Sequence, residues 1–132
     1  MDPIQALRKI SSPSVANGIE TFNVRPRNQG CMSSEIRALF PELGPLVGHA
    51  VTALIRAEPQ PREGHRASTF AWWDYVLSIP APRVVVVHDL DDPRGQGAQW
   101  GEVQANIHRA LGCAGVLTDG SVRDLEEVRA LG

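Results

Sequence analysis

Apolar positions along the 132-residue chain change their period from segment to segment, and that change is the main structural signal. In "ISSPSVANGIETF", Val15, Ile19 and Phe22 recur at helical spacing, with Ser12 as a cap and Pro13 in the first turn. The segment "NVRPRNQGCMSSEIRALFPELGP" is irregular, and its spacing predicts only a short helix over 34–40. "LVGHAVTALIRA" reads as a strand over 47–56, and "EPQPREGHR" as a polar loop. "ASTFAWWDYVLSI" predicts a helix ended by Pro80 and Pro82. "RVVVVHDL" is a short apolar run of the kind buried on both faces of a parallel sheet. Val103, Ile107, Ala110 and Leu111 fall at i, i+4, i+7 and i+8, one face of a helix that Gly112 stops. "AGVLTDG" predicts another buried strand, and "SVRDLEEVRAL" a closing helix before Gly132. Strand and helix alternate through the second half, so the expected class is α/β with parallel neighbours.

Composition narrows the chemistry. The net charge is -2 and the arginines are scattered singly, so no nucleic-acid footprint is visible. No run approaches the roughly 18 apolar residues of a membrane helix, and the N-terminus lacks a signal-peptide core, which makes the cytoplasm the expected compartment. Cys31 and Cys113 fit no CxxC spacing and read as buried or free thiols, not a disulfide. Of 13 basic residues only Lys9 is a lysine, and its polar setting beside Arg8 argues against covalent lysine catalysis.

Three places invite a functional reading. "GQGAQWG" follows an apolar strand and precedes a helix, as a dinucleotide loop would. Yet Asp89, Asp91 and Asp92 intervene and would repel a pyrophosphate, so a flexible loop is the expectation. The helix start at Gly101 and Glu102 offers free amides to a carboxylate or phosphate. The turn "TDGSVRD" permits two accounts. Ser121 and Asp124 fit a capping box, with Arg123 as a surface ion-pair partner. Spacing alone favours that account; the other is that a carboxylate there binds a divalent metal while Arg123 clamps a substrate carboxylate, past the carboxyl end of a buried strand. His49, His65, His88 and His108 lack metal-ligand spacing, and His88 reads as structural. "WWDY" reads as the aromatic core face of a helix.

The stretch "WGEVQANIHRALGCAGVLTDGSVRDLEEVRALG" closely resembles the RraA-like family, whose pattern is met by Gly101, Glu102, Ala105, Gly112, Gly115, Asp119, Gly120, Arg123 and Asp124. "ISSPSVANGIETF" is similar to the family's N-terminal helix, with Asn17 where many members have aspartate, and "GPLVGHAVTA" to its first core strand. The resemblance implies a swivelling β/β/α fold over one domain, residues 1–132, comprising an N-terminal helical region (1–45) and an α/β core (46–132). It also implies that the C-terminal part of the family fold, which follows "RALG" in other members, is missing. One functional type in the family is a class II aldolase and oxaloacetate decarboxylase that needs Mg2+ or Mn2+. It gives pyruvate from a small 2-oxo acid through a metal-stabilised enolate, in a homotrimer with sites between subunits. The alternative type is a non-catalytic regulator that binds ribonuclease E. By position the resemblance makes Asp124 the metal ligand and Arg123 the substrate clamp. Glu102 would order metal-bound water. The turn Gly101, Glu102, Val103 and Gln104 would hold the pyruvyl carboxylate.

Overall fold

A computed structural model of the chain describes residues 2–57 and 68–132. The polar segment "EPQPREGHR" falls outside the described residues. The chain divides into two compact units, residues 1–47 and 48–132.

The first unit holds two short helices, α1 (Pro3–Leu7) and α2 (Ser12–Glu20), and one 3-10 turn at Pro41–Leu43. Both helices start with a side-chain cap followed by proline. The cap of α2 is Ser11, one residue before the expected Ser12; its Oγ accepts the Ser14 amide at 3.3 Å. The helix expected over 34–40 does not form: that stretch is turns and extended chain. Its apolar residues, Ile36, Leu39 and Phe40, are too few to repay the ordering of a lone turn of helix. Neither α1 nor α2 has a buried residue, so the Val15–Ile19–Phe22 stripe is not a core face.

The second unit is an α/β layer. Strands β1 (His49–Ile55), β2 (Arg83–Asp89) and β3 (Cys113–Thr118) form a parallel sheet in that order. Helices α3 (Thr69–Ser78) and α4 (Glu102–Ala110) occupy the two crossovers, and α5 (Leu125–Leu131) follows β3. Ser68 caps α3 by accepting the Ala71 amide at 3.1 Å. Gly112 ends α4 with φ +76°, and a Cβ there would lie 2.8 Å from the Arg83 guanidinium.

One face of the sheet carries the core. Val85, Val87 and Trp100 are buried together, with Ile55, Trp72, Cys113, Val116 and Val122 packed against them. Burial of each large apolar side chain contributes about 1.5–3 kcal/mol. The opposite face differs from the expectation of two-sided burial: Val84 and Val86 are half-buried, His88 is exposed and Leu54 is 68% exposed. A continuous apolar run has no period of two, so it carries no information about which of its faces is covered.

The buried face of β2 also holds a charge at each end, Arg83 and Asp89. Arg83 donates to the carbonyls of Leu77 and Ile79 near the end of α3 and of Leu111 at the end of α4. A cation there satisfies orphan carbonyls and the negative ends of two helix dipoles. Burial raises the Cys113 thiol pKa, and the nearby Arg83 charge opposes that.

α4 turns a different face inward than the apolar spacing predicts. Val103 is 64% exposed, and the residue the helix buries is His108, at 3%. Its Nδ1 lies 2.8 Å from the Gln104 carbonyl, and its Nε2 accepts the Trp72 indole N–H at 2.8 Å. The ring stacks obliquely on Trp100 at 4.7 Å. Only the neutral Nδ1–H tautomer meets both bonds. Burial accordingly holds the His108 pKa below its ordinary value, against a smaller raising effect of the Gln104 carbonyl.

The consequence for stability follows from linkage. The unfolded chain gains a proton on His108 below pH about 6.5, whereas the folded chain resists it. The contribution is therefore complete above about 6.5 and declines as pH falls below it, by at most about 1.4 kcal/mol per pH unit. Melting temperatures measured from pH 7.5 to 5.5 are expected to fall for the native chain. His108→Gln is expected to start lower and stay flatter across the same window; parallel declines would refute the assignment.

Candidate functional site

At the carboxyl ends of β2 and β3 two segments run side by side: the loop 89–101 and the turn 119–124. Trp100 and Val122 form a parallel bridge, and the Trp100 carbonyl accepts the Arg123 amide at 2.9 Å. This pairing brings Arg123 and Asp124 against the start of α4.

Asp124 sits in the left-handed region, φ 55° and ψ 46°, a conformation that aspartate tolerates better than most residues. It precedes α5, yet its side chain makes no capping bond to that helix. Its Oδ2 instead accepts the Glu102 amide, the first of α4, at 3.0 Å. The Arg123 Nε is 3.7 Å from the same oxygen. Ser121, the other half of the capping-box pattern, donates its Oγ to the Gly95 carbonyl at 3.0 Å. The carboxylate thus caps a helix distant in sequence, where the dipole favours negative charge.

Gly101 is buried at the junction. A Cβ on it would overlap the Asp124 carboxylate and come within 2.9 Å of Arg123 Cγ. Only glycine lets the backbone, Asp124 and Arg123 approach this closely. The structure therefore brings Gly101, Glu102, Arg123 and Asp124 together. Val103 and Gln104 contribute the next two amides of α4, which have no acceptor among the described residues.

Asp119 belongs to a separate set. Its Oδ1 accepts the Asp89 amide at 2.8 Å; its Oδ2 lies 2.7 Å from His88 Nδ1 and 3.4 Å from Arg94. Burial works to raise the Asp119 pKa. The Asp89 amide, the His88 hydrogen bond and the charges of His88 and Arg94 outweigh it, so the carboxyl lies below its ordinary range. Asp89 itself is 1% exposed, with Oδ1 accepting the Asp91 amide at 2.9 Å and Oδ2 the Gly95 amide at 2.7 Å. Asp91 is buried too, and both its oxygens accept the Ala57 amide. The loop 95–101 is tied at its start by Asp89 and Ser121. Asp89 and Trp100 were not singled out as site residues. An aspartate that ends a strand, with proline and glycine in the loop that follows, is the kind of signal that marks a side chain bonding its own turn.

The donor set bears on a divalent cation. Asp124 offers a half-exposed carboxylate whose Oδ1 has no hydrogen-bond partner among the described residues. Hard oxygen ligands of this kind suit magnesium, which keeps several waters and uses one or two protein carboxylates. Among the described residues no three His, Cys, Asp or Glu side chains gather around one point. A cation at Asp124 would therefore depend on water and substrate for most of its ligands, and the residues fit that arrangement.

A family profile described as RraA-like, Aldolase/RraA, matches residues 14–132. The chain belongs to the RraA-like family. No curated protein and no solved structure gives a significant match. The mixed α/β unit with its parallel sheet agrees with an RraA-like fold. Among the described residues no helix is long and apolar enough to cross a membrane. The family contains both aldolase-type enzymes and regulators, so membership alone leaves the activity to be argued from the site.

Gly101→Ala tests the junction of this RraA-like chain. The added methyl must displace Asp124, Arg123 or the loop, and overpacking of that kind costs about 1–3 kcal/mol. Urea denaturation is expected to show a loss in that range. A variant as stable as the native chain would mean that the close approach is not real.

Proposed function

We propose that this RraA-like protein is a divalent-cation-dependent carbon–carbon lyase acting on small 2-oxo acids, of the aldolase and oxaloacetate decarboxylase type. The observation that carries the reading is the meeting of Asp124, Arg123 and the open amides of α4 around Gly101. A binding surface has no need of a carboxylate, a guanidinium and two unpaired helix amides within one turn, whereas a 2-oxo acid uses all of them.

Asp124 would hold the cation, with Glu102 orienting water beside it. When bound, magnesium or manganese supplies Lewis acidity toward the oxygens of a 2-oxo acid. The chain's own groups do the rest. The amides of Val103 and Gln104 donate to the substrate carboxylate, assisted by the positive end of the α4 dipole. Arg123 is largely exposed, held only loosely by Asp124, and free to take a carboxylate through its fork of donors. Cleavage of the bond beyond the ketone leaves an electron pair on the pyruvyl fragment, which the Arg123 charge offsets until a proton from solvent completes pyruvate; the other fragment leaves as carbon dioxide or, its hydroxyl proton passing to water, as a carbonyl compound. Retro-aldol cleavage and loss of carbon dioxide leave the same fragment, so one site serves both reactions. A homotrimer with sites between subunits and a cytoplasmic location complete the reading, on family grounds.

Pyruvate release from oxaloacetate, followed with a coupled assay, is expected to require magnesium or manganese and to stop on chelation. Equal rates with and without chelator would overturn the cation dependence. Asp124→Ala is expected to abolish cation binding and nearly all turnover. Arg123→Ala is expected to raise KM chiefly, with a smaller fall in kcat. If Asp124→Ala lowers the melting temperature and leaves turnover intact, the carboxylate is only a helix cap.

A further inference from the structure

We infer that Asp119 and Asp89 are positioning residues that set the geometry of the Arg123–Asp124 turn against the start of α4. They do so by joining the loop 89–101 to the turn 119–124 near Ser121. The inference rests on the functional reading above only in what the geometry is for.

Three hydrogen bonds make the join, beside the Arg94–Asp119 ion pair at 3.4 Å. The Asp89 amide donates to Asp119 Oδ1 at 2.8 Å, so the end of β2 is bonded to the first residue of the turn. The Asp89 carboxylate, nearly inaccessible to water, reaches back to the Gly95 amide at 2.7 Å and closes the loop on itself. Gly95 then accepts the Ser121 hydroxyl at 3.0 Å, which returns the connection to the turn. Among the described residues the two segments meet again at Trp100 with Val122 and Arg123, at Gly101 with Arg123 and Asp124, and at Glu102 with Asp124. The turn and the loop are thus pinned at one end by carboxylates and deliver the site at the other.

Two details show that the first end is tightly specified. At Gly120 a Cβ would lie 3.1 Å from Asp89 Oδ2, a tight approach that the Asp89 carboxylate would have to yield to by a few tenths of an ångström. Gly95 has φ +85°, a conformation that other residues rarely adopt, and a Cβ there would lie 2.6 Å from Ser121 Oγ. Asp89 has no cation within salt-bridge distance among the described residues. Its charge is met by backbone amides alone, and those amides belong to the loop it positions. Loss of either carboxylate releases the pinned end, and a shift of even 1 Å in the turn is enough to cost about a hundredfold in rate.

The test reads the Glu102 amide directly. In the 15N-labelled full chain this proton is bonded to the Asp124 carboxylate, so its chemical shift reports the junction. Asp119→Ala and Ser121→Ala are expected to move it toward the position it takes in Asp124→Asn. Asp119→Asn, which keeps an acceptor for the Asp89 amide, is expected to restore it in part. Val76→Ala, a cavity in α3 outside both segments, is expected to lower the melting temperature and leave the resonance in place. In parallel, kcat/KM for oxaloacetate is expected to fall about 10–100-fold in Asp119→Ala. An unmoved Glu102 resonance in Asp119→Ala and Ser121→Ala overturns the inference, as does an equal movement in Val76→Ala. Should the native chain release no pyruvate, the functional reading fails while the amide shift still decides the positioning. Asp89→Asn is a further variant; if it does not fold, the other two remain decisive.

Discussion

Backbone amides closing on carboxylates hold the carboxyl end of this sheet together, and the site depends on that. Asp91, Asp119 and Asp124 each accept a main-chain N–H from a different stretch of chain, and Asp89 accepts two from its own loop. Such bonds are charge-assisted, and so shorter and stronger than those between neutral groups. They also solve a packing problem. Strands that end in a parallel sheet must hand their chain to loops whose amides have no ladder partner. A carboxylate with two oxygens satisfies two such amides in a small volume.

The same economy appears at the other end of β2. Arg83 has no carboxylate beside it among the described residues, and its guanidinium is met by carbonyls at the ends of two helices. The buried face of one strand is thus apolar in the middle, positive at its start and negative at its end. Each charge is neutralised by the backbone dipoles that the helices and loops leave unpaired. His108 plays the corresponding part between α3 and α4, where a neutral imidazole joins an indole to a carbonyl. Polar groups inside the unit are therefore few and paired, as burial requires.

The proposed function grows from one departure in this pattern. Most of the buried carboxylates have their oxygens taken up by the chain. Among the described residues Asp124 uses one oxygen on Glu102 and keeps the other, while the next two amides of α4 remain open. Unused donors and an unused acceptor at one junction are what a small anionic ligand needs. The family contains enzymes and regulators alike, and this local incompleteness is what favours the enzyme among them.

Much of this was legible in the residues themselves. The change of period from helix to strand marks β1, β2, β3, α3, α4 and α5, because side-chain burial repeats with the backbone geometry. The motif around Gly101 and Arg123–Asp124 can be read as a string, since glycine spacing and charge need no coordinates. Three things could not be read that way. Which face of α4 is buried depended on Trp72 and Trp100 meeting His108, contacts that no local apolar count contains. Which side of the sheet is covered depended on where the helices lie, and a run of four valines is silent about that. Finally, Asp124 and Ser121 have the spacing of a local cap, and only the tertiary structure turned them to distant partners, Glu102 and Gly95. Local spacing sets what a side chain can reach along its own helix. The folding of two loops against each other decides what it reaches instead, because the nearer partner in space is then no longer the nearer one in sequence.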